Sequence, residues 1–205
     1  IETIEKYSGD FLKIIEKRIS EKGKVKVLEV GCGYGVAMMG FLKKFGDNVE
    51  MIGLNYSKKH GDVKFMKREA IVKCIFTKEQ VKNIKNLPKI VYCDADGKLP
   101  FESGSFDFIY SNDSIYLFYD KIRFFIECNR VLRKNGIARL NLMFGPIRPE
   151  SQPNLYWNAW EIWDKGNLEK PEKYFEKIKG VSVYYYNNGG YCLEIRKQGS
   201  LDFRL

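Results

Sequence analysis

The chain has 205 residues and a mass of 24.0 kDa, is 44% hydrophobic and 30% charged, and carries a formal net charge of +9. That length suffices for one well-buried core and is short for two, so a single domain over 1–205 is expected. No apolar run approaches the roughly 18 residues of a membrane span, the charged, helix-patterned start does not read as a signal peptide, and five scattered cysteines without a Cys-x-x-Cys pair exclude a disulfide framework or zinc site and point to reduced thiols in a cytoplasmic protein.

Ile4, Tyr7, Phe11, Ile14 and Ile15 recur at helical spacing. They predict helix over 2–21, broken at Ser8-Gly9-Asp10, with Asp10 as candidate cap of the second piece. The apolar, β-branched run Val27-Leu28-Glu29-Val30 then reads as a buried strand over 25–30, and Gly31-Cys32-Gly33-Tyr34-Gly35 as a tight turn into a helix. Glycine tolerates positive φ and lets backbone amides approach a ligand, while the next helix aims free N–H groups at the same spot. A dinucleotide fingerprint would need its third glycine at position 36, which is Val36; here the third is Gly35. Met38, Phe41, Leu42 and Phe45 mark the inner face of the helix, which stops near Gly46, and Val49 to Asn55 forms the second strand.

Between Ser57 and Ile90 ten lysines and arginines face Asp62, Glu69 and Glu79, a local net charge of +7. Such a segment is either a solvated, lysine-rich face or a surface for an acidic substrate, nucleic acid or partner. Thr77 and Gln80 form a capping box and Pro88 closes the region, whereas 61–75 shows no assignable pattern. Ile90 to Cys93 is the third strand, and Gly104 to Ser111 leads in and out of the fourth. Ile122, Phe125, Ile126 and Leu132 predict a helix with Arg133 and Lys134 in its last turn and Gly136 as its stop, before a fifth strand over 137–144. Tyr156, Trp157, Trp160 and Trp163 crowd a helical stretch, and a further helix is expected over 171–179. Val181 to Tyr186 and Tyr191 to Arg196, split by Asn187-Asn188-Gly189-Gly190, read as a hairpin.

The pattern Glu29-x-Gly31-x-Gly33-x-Gly35 after a Val-Leu-Glu-Val strand resembles the class I S-adenosylmethionine (SAM) dependent methyltransferases. Asp94-Ala95, Leu99-Pro100-Phe101, Gly104-Ser105-Phe106-Asp107 and the run Arg130 to Gly136 extend the resemblance over about 25–144, toward the small-molecule branch of that family. It implies a Rossmann-like α/β three-layer sandwich, with a mostly parallel seven-stranded sheet closed by a C-terminal antiparallel hairpin. It also implies a layout of 1–24 as helical lid, 25–144 as cofactor-binding core and 145–205 as aromatic helical segment plus hairpin. The cofactor would be SAM and the product S-adenosylhomocysteine (SAH). Cofactor contacts would come from Glu29, Gly31, Cys32, Gly33, Gly35, Asn55, Tyr56, Asp94, Ala95, Ser111 and Asn112, with Asp94 accepting from the adenine amino group and the Ala95 N–H meeting a ring nitrogen.

Asn55 departs from the family, whose second strand ends in Asp or Glu to hold both ribose hydroxyls. An amide has one acceptor oxygen and no charge, so binding weaker by about 1–2 kcal/mol is expected, and Asn55→Asp should restore it.

A sulfonium methyl is already activated, so the protein chiefly has to align a nucleophile and exclude water. Asp113 and Tyr116 are the candidate catalytic residues, and His60, the only histidine, is a turn residue or a base. No Asn/Asp-Pro-Pro-Tyr/Phe follows the fourth strand and no Pro-Cys pair is present, which favours a small-molecule acceptor without a metal or membrane partner. Two alternatives stand beside it. One is an RNA-directed methyltransferase using the basic 57–90 segment; the other is a catalytically degenerate scaffold or partner subunit with the same fold.

Overall fold

The computed structural model describes residues 2–118, 120–141, 178–186 and 190–201. Strand β1 (Val25–Val30) lies inside the sheet, paired in parallel with β2 (Val49–Asn55) on one side and β4 (Phe106–Ser111) on the other. Beyond β2 comes β3 (Lys89–Tyr92), and beyond β4 come β5 (Leu132–Asn141), β7 (Gly190–Arg196) and β6 (Val181–Tyr186). The order β3-β2-β1-β4-β5-β7-β6 is parallel through β5 and antiparallel at β7, the mixed seven-stranded sheet that the sequence implied. It reverses direction of winding at β1 and β4, the place where open α/β sheets leave a crevice for ligands.

Successive side chains on a strand point to opposite faces, so β1 feeds two cores. Val25 and Val27 join Phe108 and Tyr110 under α1 (Glu2–Ser8), α2 (Phe11–Lys22), α3 (Val36–Phe45) and α4 (Val63–Val72), represented by Ile4, Phe11, Phe41 and Met66. Leu28 and Val30 join Ile109 on the other face, under Phe124 and Phe125 of α6 (Lys121–Val131). This makes three layers. A short α5 (Lys78–Asn83) carries the expected Thr77/Gln80 capping box.

Several expectations need correction. The helix break at Ser8 to Asp10 is present, with Gly9 at φ 56°, but the Asp10 carboxylate caps nothing. It turns to Arg139, at 2.6 Å. The unassigned stretch 61–75 contains α4, started by Asp62, whose Oδ1 accepts from Lys64 N–H (2.8 Å) and Phe65 N–H (2.9 Å). Helix α6 ends at Val131, earlier than predicted, because the Lys197 ammonium takes the carbonyls of Arg130 (3.1 Å) and Leu132 (2.7 Å) and the Arg133 guanidinium turns to buried Asp107 at 2.6 Å. Arg133 and Lys134 therefore lie in β5, whose pairing with β4 shifts register between Leu132 and Ile137, where Asn135 stands at φ 62°. On α6 itself Ile122, Phe124, Phe125 and Cys128 face inward while Ile126 is exposed. The aromatic cluster Tyr156, Trp157, Trp160 and Trp163, most of the 171–179 helix and the end of the fifth strand lie outside the described residues.

Candidate functional site

The chain leaves β1 through three residues in the left-handed region: Gly31 (φ 72°), Gly33 (φ 50°) and Gly35 (φ 70°). Positive φ at alternate positions coils the backbone tightly, and the N–H groups of Gly31 (2.8 Å) and Cys32 (3.1 Å) both donate to the Leu54 carbonyl, which fastens the loop to β2. A Cβ on Gly31 would lie 2.4 Å from the Ser114 side chain, and one on Gly35 2.8 Å from Met66, whereas one on Gly33 would meet nothing within 4 Å. Gly33 alone of the three opens outward. Cys32 turns its thiol inward, buried beneath Gly53, and burial raises its pKa.

Behind the loop sits Glu29, 7% exposed, with Oε2 lacking a hydrogen-bond partner among the described residues. Burial pushes its carboxyl up to about 8, the Tyr110 hydroxyl pulling the other way without completing a well-formed hydrogen bond. An orphaned carboxylate oxygen of this kind is costly unless a cation or donor arrives.

The facing wall comes from the loops after β3 and β4. Asp94 is exposed, and its Oδ1 also accepts from the Asp96 N–H at 3.0 Å, so it both turns its own loop and faces outward. Ala95 is buried beside it. Ser111 Oγ, at the end of β4, and Ser114 Oγ lie 2.9 and 3.1 Å from the Val30 carbonyl oxygen, which accepts from them, and 2.6 Å from each other. This pins the β4 loop to the start of the glycine turn. Asp113 projects beyond it at φ 57°, its carboxyl raised by burial and lowered in part by Lys6. Asn112 keeps a buried Oδ1 without a partner among the described residues.

Between these walls lies a cavity of about 620 Å³, lined among others by Gly31, Gly33, Asn55, Tyr56, Asp94 and Ala95. Asp113 and His60 line it as well, together with Leu117 and Phe118 at the β4 side. His60 Nδ1 is 3.2 Å from Ser57 Oγ. Five residues expected at the cofactor, Glu29, Cys32, Gly35, Ser111 and Asn112, do not line the cavity; they shape the loops from behind. Leu54, Cys93, Asp96, Ser114, Leu117 and Phe118 line it beyond the expected residues, and the place of Ser114, Leu117 and Phe118 shortly after the fourth strand is the signal that points to those three. Among the described residues no group of His, Cys, Asp and Glu is arranged to hold a metal, and no helix is long and apolar enough to cross a membrane.

The family model described as "methyltransferase domain" matches residues 28–140, more than half of the chain. The protein belongs to that family, whose methyl donor is SAM. No curated protein matches the sequence significantly. Among solved structures, a Methanococcus maripaludis protein provisionally described as a SAM-dependent methyltransferase is 20% identical, with TM-score 0.56 and coverage of 96% of this chain and 90% of that one. A SAM-dependent methyltransferase from Aquifex aeolicus is 20% identical, with TM-score 0.51 and coverage of 88% and 87%. A Galdieria sulphuraria structure, provisionally described as a sarcosine dimethylglycine methyltransferase, is 26% identical with TM-score 0.47, over 62% of this chain and 43% of that one. The chain spans half or less of the length of this last protein and of several others it matches.

The residues present fit the donor. The wall offers an outward-facing carboxylate at Asp94, a backbone at Gly33 with no side chain in the way, the aromatic Tyr56 (69% exposed), and a volume suited to a nucleoside-sized ligand.

Proposed function

We propose that the chain moves the methyl group of SAM to an O, N or C nucleophile of a small-molecule acceptor by in-line displacement. The observation that carries this is the cavity of about 620 Å³ at the carboxyl edge of β1, β2 and β4, with Gly33 opening into it on one side and Asp113 on the other. SAM, when bound, supplies a methyl group already activated on a sulfonium. The protein's share is then placement and exclusion of water.

In this reading Gly31 and Gly33 present backbone, Tyr56 covers a flat face, and Asp94 and Ala95 take the polar edge of the adenine. Glu29, Cys32, Gly35, Ser111 and Asn112 act by holding the loops. Leu117 and Phe118 keep water from the reacting end. Asp113, which lines the cavity and has its carboxyl raised by burial, takes the acceptor's proton in this reading; Tyr116, three residues on, is the second candidate.

Calorimetric titration with SAM and SAH tests the cofactor, repeated on Asp94→Ala and Gly33→Val. Wild-type protein should bind both ligands in the micromolar range. Asp94→Ala should bind about tenfold more weakly, the scale of one charged hydrogen bond. Gly33→Val should not bind while still melting cooperatively, a control needed because Val at φ 50° is strained. No heat from the wild type would remove the cofactor assignment; equal heat from Gly33→Val would move the ligand to another place.

A further inference from the structure

Gly33 and Gly61 meet back to back. A Cβ on Gly61 would lie 2.1 Å from the Gly33 carbonyl oxygen, so the turn following β2 is packed directly on the glycine loop. Asn55, 3% exposed at the end of β2, holds both. Its Oδ1 accepts from the Gly33 N–H at 2.9 Å, and its Nδ2 donates to the Gly33 carbonyl at 2.8 Å and the Gly61 carbonyl at 3.4 Å. The Tyr92 hydroxyl adds a hydrogen bond to the same Gly61 carbonyl at 3.3 Å. Only one orientation of the amide serves a donor and an acceptor of the same residue together, because its oxygen cannot donate and its NH₂ cannot accept.

We propose that Asn55 is a positioning residue: it fixes the glycine loop against the 57–62 turn, and it contributes to cofactor binding through that loop and not through the ribose hydroxyls. This rests on the cofactor site proposed above. A carboxylate only accepts hydrogen bonds, so Asn55→Asp sets an anionic oxygen against two backbone carbonyls that now receive an N–H. The substitution that family resemblance marks as an improvement becomes damage in this chain. Protonating the carboxyl returns one donor and part of the clamp. A site that does not read the diol with charge also treats SAH and its 2′,3′-dideoxy analogue alike when residue 55 is changed.

The experiment titrates wild type, Asn55→Asp and Asn55→Ala with SAH and with the dideoxy analogue at pH 5.5 and 8.0, and follows hydrogen exchange of the Gly33 amide in ligand-free protein. At pH 8.0 Asn55→Asp should bind both ligands at least tenfold more weakly than wild type, with the same fold-loss for each, and recover part of the loss at pH 5.5, since burial against two carbonyls favours the protonated carboxyl. Asn55→Ala should show a loss without pH dependence, and it serves alone if the aspartate variant does not fold. Gly33 exchange should be at least tenfold faster in Asn55→Ala, which removes the acceptor of its N–H. Tighter binding by Asn55→Asp, or a loss seen with SAH and absent with the analogue, would assign Asn55 to the ribose and overturn the proposal. If the wild type binds neither ligand the cofactor assignment fails separately, and unchanged Gly33 exchange in Asn55→Ala would then overturn the clamp on its own.

Discussion

Arg139 and Glu194 stand opposite each other in register on β5 and β7, Nε to Oε2 at 2.7 Å, with side chains only 4% and 1% exposed. The same guanidinium reaches Asp10 at 2.6 Å and donates to the Ser8 carbonyl, so one buried cation ties the α1–α2 junction to the antiparallel edge of the sheet. Removing Glu194 takes away the buried partner and leaves Arg139 with the half-exposed Asp10 carboxylate. Glu194→Ala should lower unfolding stability in urea by about 3 kcal/mol, whereas Asp10→Ala, with a carboxylate 59% exposed, should cost under about 1 kcal/mol. Equal losses from the two variants would show that the anchor is not Glu194.

Gly31 and Gly33 should not respond alike to alanine. Gly31→Ala combines left-handed strain with overlap on Ser114, at 2.4 Å, and should cost about 2–4 kcal/mol in stability. Ser114→Gly in that background should return the overlap share and leave the strain. Gly33→Ala, with open space around its Cβ, should cost only about 1 kcal/mol of strain while weakening SAH binding. Chemical denaturation of the four proteins separates these contributions.

Glu29 gives the ligand-free protein a pH dependence of definite sign. Its carboxyl is raised by burial from 4.5 to about 8, so the native state holds a proton that the unfolded chain gives up between those values. Stability should be full below about pH 4.5 as far as this group is concerned, fall as pH rises toward 8, and level off above it, with a slope of at most about 1.4 kcal/mol per pH unit. Glu29→Gln should flatten this part of the profile. Melting temperatures at pH 5.5, 7.0 and 8.5 read it directly, and an unchanged slope in the variant would place the titration elsewhere.

Glu127 has the opposite sign. Its hydrogen bond from Arg130 holds its carboxyl below the usual range, and its Oε2 also accepts from the Leu99 N–H at 2.8 Å, which fastens the loop after β3 to α6. That stabilisation is present above the ordinary carboxylate pKa and lost as pH falls through the lowered native value. Glu127→Gln should cost about 1–2 kcal/mol at pH 7 and progressively less on acidification. A constant penalty across the acid range would contradict it.

What could be read from the sequence was the part governed by local rules. Val27 to Gly35, the Thr77/Gln80 box and the apolar runs of β2 and β4 each carry a short-range signature, and the mostly parallel sheet with its closing antiparallel hairpin follows from family resemblance. Asp62 is a local cap signal, but α4 is hidden in the sequence because Lys64, Lys67 and Arg68 leave only Met66 and Ala70 buried along it. The end of α6 was not readable. It is decided by Lys197 and Asp107, 66 and 24 residues away from Val131 in the chain, and a Gly136 stop looked equally good locally. At the site, Asp94 and Ala95 line the cavity, but which side of a loop a residue faces is not legible from its neighbours; Cys32, Ser111 and Asn112 sit in the same loops and do not line it. Asn55 was recognised as unusual, yet its partners Gly33 and Gly61 are set by the tertiary meeting of two loops.

That meeting has a consequence for tolerance to change. A Cβ at Gly61 would lie 2.1 Å from the Gly33 carbonyl oxygen, and Asn55 bridges the two turns, so a substitution at any one of the three positions is felt at the other two.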